Sequence, residues 1–247
     1  MQLVGWVSNR IGEIFMSLVD DIASEVVGIF SSPWSARDGV VVPEDSDLKL
    51  SNDAVRLRAA VLYADLEGST AMVDATEAAF AAEVYKAYLV AACRVIKATG
   101  GKITAFDGDR VMAVYVGDSK CTNAAGAALK INYVVNNVVN VRLKAQYAES
   151  DYQVKHVVGV DVSDLWVART GIRGSNDLVW VGRAANYAAK LTNLKSGVGR
   201  SWITDAVYGE MAETYKRYRG KEVWDRRTWV AMEGRAVYSS SWAWNPG

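Results

Sequence analysis

Histidine is almost missing from this sequence: among 247 residues only His156 is one, set between Lys155 and Val157 in a strand-like apolar stretch. A lone imidazole there is expected in a structural or exposed role, and histidine-based triads have no residues to be built from. Cysteine is nearly as scarce. Cys93 and Cys121 lie in Ala-rich helical segments and make no metal-ligand spacing, so a reduced, cytoplasmic chain is the expectation. Net charge is also absent, since 28 Lys and Arg balance 28 Asp and Glu. That removes any global attraction to nucleic acid or an anionic membrane, and an anionic ligand must be held by a local cluster. No apolar run approaches the roughly 20 residues that span a bilayer. The N-terminus lacks the basic start and apolar block of a signal peptide, and Met16 stands as an alternative start to Met1.

What is there is a hydrophobic content of 51%, enough to bury a full core. Ile11, Ile14, Phe15, Leu18, Val19, Ile22, Val26 and Ile29 recur at helical spacing, with Arg10, Glu13, Asp20, Asp21 and Glu25 between them. This predicts an N-terminal amphipathic helix that packs on the domain or on a second copy. Its acidic polar face disfavours membrane attachment. Residues 31–53, holding two of the three prolines, read as a connector. The expected organisation is residues 1–53 as helix and connector and 54–247 as a catalytic domain. Within that domain the spacing predicts a buried strand over 58–64 and a helix over 70–99 with Met72, Ala79, Phe80, Val84, Tyr88 and Val95 in the core. A hairpin follows, then an Ala-rich helix over 122–141, a strand over 155–162, a short apolar segment over 178–182, a helix from Ala184 and a last hairpin near Glu233-Gly234. This order is that of an α+β sandwich with helices covering one sheet.

Two places carry chemistry. Asp65 ends the first buried strand and is followed by "LEGST", in which Gly68, Ser69 and Thr70 open a helix whose free N–H groups suit a phosphate. The same residues also serve as ordinary caps. The second place is "AFDGDRVMAVY", a tight hairpin whose Gly108 supplies positive φ and whose Asp109 has no turn-forming duty. If the hairpin stands beside the Asp65 strand, the two carboxylates converge and can hold two divalent ions, Mg²⁺ or Mn²⁺, with triphosphate oxygens completing the shell.

In order and spacing, "VLYADLEGST", "GGKITAFDGDRVMAVY" and "DLVWVGRAANYAAKL" resemble the catalytic domain of class III nucleotidyl cyclases, from about Ala59 to Tyr238. The resemblance implies a sandwich with a central, mainly antiparallel sheet, and a homodimer whose two active sites each draw on both chains. It implies Asp65, Asp109 and the Leu66 carbonyl as metal ligands, and the turn through Glu67, Gly68, Ser69 and Thr70 as a phosphate holder. Asn186 of the opposite chain takes the ribose-orienting place. Lys190, one helical turn on, stands where the family has an arginine, keeping the charge but losing the bidentate fork. Arg235 lies near where the family often has a cation on the terminal phosphates, and Lys155 is a further candidate.

Adenylate cyclases of this family read adenine with a lysine four residues before the hairpin Asp and an Asp or Thr seven before the Asn. Here those places are Ala105 and Val179, neither able to hydrogen-bond a base. Tyr63, Arg110 and Arg183 are the polar candidates to replace them; Tyr63 is equally a core aromatic, and either arginine equally a phosphate or interface charge. With the "YAD" variant and the upstream "SPWSARDGVVVP", this looks like the pyrimidine cyclases of bacterial Pycsar anti-phage systems, which make cyclic UMP or cyclic CMP for a separate effector. The expected activity is conversion of UTP to cyclic 3′,5′-UMP and pyrophosphate. CTP is the nearest alternative substrate, a purine the next, and a catalytically silent nucleotide-binding fold is the reading from another class. Neither nucleic acid nor membrane is expected as a partner.

Overall fold

A computed structural model describes residues 3–194, 197 and 199–247, with side chains from residue 17 onward. The chain divides into two compact units. The smaller comprises residues up to Arg37, Pro43–Val55 and Val167–Val179, and the larger Asp38–Val42, Arg56–Trp166 and Trp180–Gly247.

The smaller unit opens with α1 (Leu3–Ser31). Leu18, Val19, Ile22, Val26 and Ile29 are all exposed on it; Arg10, Ile11, Glu13, Ile14 and Phe15 lie outside the described side chains. The Asn52 amide donates to the carbonyls of Ile29 and Ser32, both at 2.8 Å, satisfying acceptors that the end of a helix leaves open. The connector is more ordered than its composition suggests, because it contains β1 (Ser35–Asp38) and a 3₁₀ turn at Asp45–Asp47.

From Arg56 on, β2 (Asp53–Leu66) belongs to the larger unit, and its mostly buried residues need both faces covered. After it come α2 (Ser69–Ala75) and α3 (Ala78–Ala98). The single helix expected over 70–99 is broken at Thr76 and Glu77, which are extended, and the Thr76 hydroxyl closes α2 by donating to the Met72 carbonyl at 2.8 Å. The break resets the helical phase. Met72, Val84, Tyr88 and Val95 are buried as expected, Phe80 is half-buried, and Ala79 is corrected to an exposed position.

The hairpin is β3 (Lys102–Asp107) and β4 (Arg110–Tyr115). Then follow α4 (Lys120–Val134), a π-helical turn (Val135–Val139) and α5 (Asn140–Gln146) in place of one continuous helix. β5 (His156–Ile172) far outruns the strand expected over 155–162 and turns into β6 (Ser175–Val181). The rest is α6 (Arg183–Leu191), β7 (Ser201–Thr204), α7 (Asp205–Glu210), α8 (Glu213–Lys216), β8 (Arg217–Tyr218), β9 (Lys221–Glu222), β10 (Asp225–Trp229) and β11 (Arg235–Ser240).

The main sheet runs β10-β11-β7-β5-β2-β4-β3. β5 and β7 are parallel, while the pairs β2/β4, β3/β4, β7/β11 and β10/β11 are antiparallel. Strand alternation divides its two faces. Ala60, Leu62 and Ala64 of β2, with Val111, Ala113 and Tyr115 of β4, pack in one cluster with α3 and α4. A second cluster joins Val157, Trp202, Trp229 and Val237 to Leu191 of α6.

Gly159 sets how close α6 comes to β5. A Cβ there would stand 2.2 Å from the Ala188 carbonyl oxygen and 2.7 Å from Leu191 Cβ. Gly159→Ala must therefore push α6 off the sheet, and a loss of about 1–3 kcal/mol in urea unfolding is expected. His156 makes a second prediction. It is fully buried, and burial, aided by the Arg200 charge, pushes its pKa down to about 3. The unfolded chain takes up a proton on this imidazole below about pH 6.5 and the folded one does not. Stability from this site is whole above about pH 6.5 and declines by up to about 1.4 kcal/mol per pH unit as the pH falls towards 3. Unfolding midpoints of His156→Leu between about pH 4.5 and 7 should lack that part of the slope.

Candidate active site

The site grows from the end of β2 and the turn between β3 and β4. Register places Tyr63 opposite Met112 and Ala64 opposite Val111, so the next residues on each strand are Asp65 and Arg110. The two-residue turn is Gly108-Asp109, with Asp107 paired to Arg110. Gly108 has φ +60° and Asp109 does not have positive φ, the pattern of a type II′ hairpin turn, which frees the second turn residue from conformational duty.

Asp65 feels the Asp109 charge. Burial, then the neighbouring Asp109 charge, raises the Asp65 pKa, and Arg110 and the Thr192 hydroxyl pull it back. Asp109 Oδ2 is buried and has no hydrogen-bond partner among the described residues. Such an atom is costly unless a cation or a donor satisfies it. The donor set of two carboxylates, with no sulfur or imidazole, fits a hard divalent ion. Among the described residues no group of three or more His, Cys, Asp and Glu forms a closed cage, so substrate oxygens and water would supply the other ligands.

Around Asp65, a cavity of about 220 Å³ is lined also by Leu66, Glu67, Gly68, Val157, Thr192 and Asn193. Gly68 has φ +78° and turns the chain into α2, with Ser69 its first residue and Thr70 its second. The Glu67 amide donates to the Lys155 carbonyl at 2.8 Å, which ties the exposed Lys155 to this turn. The Arg110 guanidinium is held by Asp107 at 2.6 Å and lies 5.4 Å from the centre of the Tyr63 ring. Burial raises the Tyr63 pKa, with Arg110 opposing, so the phenol stays protonated as a donor at neutral pH.

A second group gathers on α6. Asn186 and Lys190 are exposed, and the Lys190 ammonium stands 3.9 Å from the Met232 sulfur with no ion-pair partner among the described residues. Arg183 and Arg235 flank the Tyr187 ring at 5.6 and 5.7 Å. They border a cavity of about 320 Å³ that also takes in Thr204 and Trp229. Arg183 is not a free donor: it donates to fully buried Asp161 at 3.0 and 3.3 Å and to the Val162 carbonyl at 2.6 Å. It is a strut that holds the start of α6. Ala105 sits half-buried at a bulge in β3, and Val179 is exposed on β6; neither offers a polar side chain.

Sequence reasoning missed Asp161, Thr192 and Thr204. The one available signal was Asp161 itself, a carboxylate in the apolar run "VVGVDV", which no strand buries without a partner. Thr192 had no such signal. Arg183→Ala leaves Asp161 with only the Thr204 hydroxyl. A loss of about 2–3 kcal/mol is expected in thermal or urea unfolding, less than for a fully buried pair because the Arg183 side chain is 42% exposed; unchanged stability would refute the strut.

No protein-family model matches the chain. Curated relatives do. It is 47% identical over 230 residues to a uridylate cyclase of Xanthomonas perforans, covering 93% of this chain and 99% of that one. A uridylate cyclase of Burkholderia cepacia is 47% identical over 231 residues, with the same coverage, and one of Rhodovulum sp. (strain MB263) is 36% identical over 238. Among solved structures, the guanylyl cyclase Cya2 superposes with TM-score 0.65 at 16% identity over 77% of this chain and 95% of its own. The adenylyl cyclase CyaB of P. aeruginosa superposes with TM-score 0.60 at 20% identity over 76% and 95%. The fold is that of the class III nucleotidyl cyclases, and the chain is an enzyme of the uridylate cyclase family.

Proposed function

We propose that this nucleotidyl cyclase converts UTP to cyclic 3′,5′-UMP and pyrophosphate at two composite sites of a homodimer. Asp109 carries the reading: a hairpin turn presents a carboxylate beside Asp65 with one oxygen buried and unpartnered. The preference for uracil is supported by the names of the relatives and by Ala105 and Val179, which offer no group to read a purine edge.

Asp65, Asp109 and the Leu66 carbonyl would hold two divalent ions, Mg²⁺ or Mn²⁺. These supply Lewis acidity that eases loss of the 3′-hydroxyl proton and offsets charge on the leaving pyrophosphate. The turn from Glu67 through Thr70, with Lys155 beside it, takes the triphosphate. Arg235 and Lys190 bring positive charge from α6 and the last hairpin of the opposite chain, and Asn186 orients the ribose. The bond between the 3′-oxygen and the α-phosphorus forms as the bond to the β-phosphate oxygen breaks. The proton leaves to solvent, since no side chain stands out as a base. Tyr63, backed by Arg110, bounds the base pocket and favours the smaller ring.

Two separate clusters on one chain, the carboxylates and the α6 cations, are what a site shared between two chains requires. The reading places the enzyme in the cytoplasm, with its catalytic domain from about residue 54, making a messenger for a separate effector in anti-phage defence. Among the described residues no helix is long and apolar enough to cross a membrane.

Incubation with UTP, CTP, ATP and GTP together under Mn²⁺ should yield cyclic UMP by mass spectrometry, and Asp109→Ala should yield none. Cyclic CMP or a purine product instead would overturn the uracil assignment. Mixing inactive Asp109→Ala with inactive Asn186→Ala should restore up to about a quarter of wild-type activity. Half of randomly mixed dimers are then hybrids, each with one intact site of two. No recovery from chains that exchange partners would rule out composite sites.

A further inference from the structure

Helix α6 presents Asn186 and Lys190 to solvent, yet its far end returns to the carboxylate side of its own chain. The cavity at the end of β2 has two walls that are distant in sequence. Asp65, Leu66, Glu67 and Gly68 form one, and Thr192, Asn193 and Leu194, the residues just past α6, form the other, with Val157 of β5 completing the lining.

The second wall is held by several contacts. As α6 ends, the Thr192 hydroxyl donates to the Ala189 carbonyl at 2.8 Å. The backbone N–H of Asn193 donates to the Lys190 carbonyl at 3.2 Å, and that of Leu194 to the Leu191 carbonyl at 3.1 Å. Leu194 packs against the cluster of Val157, Leu191 and Trp202. The backbone at 193 is thus placed by the sheet, whereas the Asn193 side chain is exposed and makes no hydrogen bond among the described residues.

Charge decides what this side chain is suited to meet. Asp65 and Glu67 make the first wall acidic, and the described residues lining the cavity include no lysine or arginine. Phosphate oxygens entering beside those acids need hydrogen-bond donors. A cation on the second wall would compete with a divalent ion for the Asp65 carboxylate, whereas a neutral carboxamide offers two N–H donors without that competition. Because the Thr192 hydroxyl is already engaged, Asn193 is the one side chain among the described lining residues left to donate.

We propose that Asn193 is a substrate-binding residue in cis: its carboxamide donates to a non-bridging β- or γ-phosphate oxygen of the nucleotide held by the carboxylates of its own chain. The proposal rests on the reading of Asp65 and Asp109 as metal ligands of a composite site. One helix then serves two sites, its exposed face the partner's and its C-terminal end its own.

The test measures KM for UTP and inhibition by pyrophosphate in the full-length wild type, Asn193→Ala and Asn193→Asp, with Mn²⁺ saturating. Loss of one hydrogen bond to a charged acceptor should raise both constants about 10-fold in Asn193→Ala. Asn193→Asp keeps the shape but not the donor and should raise them at least as much. Melting temperature should not move, since the side chain is exposed. The chain on which Asn193 acts is read from hybrids of Asp109→Ala and Asn186→Ala. Asn193→Ala added to the Asn186→Ala chain, which supplies the carboxylates of the one intact site, should raise the KM of the recovered activity. Added instead to the Asp109→Ala chain, whose own site is already dead, it should leave that KM where it was. Wild-type pyrophosphate inhibition in either variant overturns the phosphate contact, and a KM that rises only when the Asp109→Ala chain carries the change overturns its action in cis. Hybrids that recover no activity, or a wild type that pyrophosphate does not inhibit, overturn the composite metal site and the proposal with it.

Discussion

Two like charges held close together at the end of one strand and in the turn beside it are the constraint around which this site is arranged. Partial burial raises the cost of ionising Asp65, and the neighbouring Asp109 charge adds to it. Structure nearby offsets that cost from several sides. Arg110 brings a cation to the same face, itself held by Asp107 across the hairpin turn. Thr192, one residue past the end of α6, brings a hydroxyl to Asp65. Among the described residues nothing meets the buried Oδ2 of Asp109, and a fold keeps an unmet acceptor where a cation or a donor is to meet it.

The second organising contact is between α6 and the sheet. Gly159 lets the helix backbone down onto β5, and the Arg183–Asp161 ion pair fastens its first turn. Asp161 is fully buried, so the pair is also a registry device: the helix cannot rotate or slide without stranding a charge. Asn186 and Lys190 consequently point to solvent at a defined place. A site assembled between two chains needs this kind of rigid presentation, since neither chain can adjust the other's residues.

The relatives and the fold speak to different questions. Solved cyclases at 16% and 20% identity share the architecture, and their titles name guanylyl and adenylyl activities, so the fold alone does not select a base. Base choice belongs to the side chains lining the pocket. Tyr63 and Arg110, the residues proposed to border the base, form a cation–aromatic pair, whereas Arg183, an equal candidate from sequence, is committed to Asp161.

Much of this was legible in the sequence because it is local. Period and turn chemistry located β2, the β3–β4 hairpin and α6, and the Asp-Gly-Asp turn marked Asp109 as a residue with no structural duty. The helix over 70–99 was misread as continuous because Thr76 and Glu77 are ordinary helix-tolerated residues, and Ala79 was assigned to the core on the wrong phase. Of the residues missed, Asp161 alone left a signal, as a carboxylate in an apolar run, and Thr192 left none. A threonine just past a helix has an ordinary local reading, because hydroxyls there commonly bond the last carbonyls of the helix. By itself, then, the sequence determined the chemistry available: one carboxylate at a strand end and one in a hairpin turn, an Asn and a Lys one turn apart, and apolar residues at 105 and 179. Tertiary structure alone decided which of those groups meet and which are already engaged, because burial, like-charge repulsion and hydrogen-bond pairing arise only where residues far apart in the chain come together.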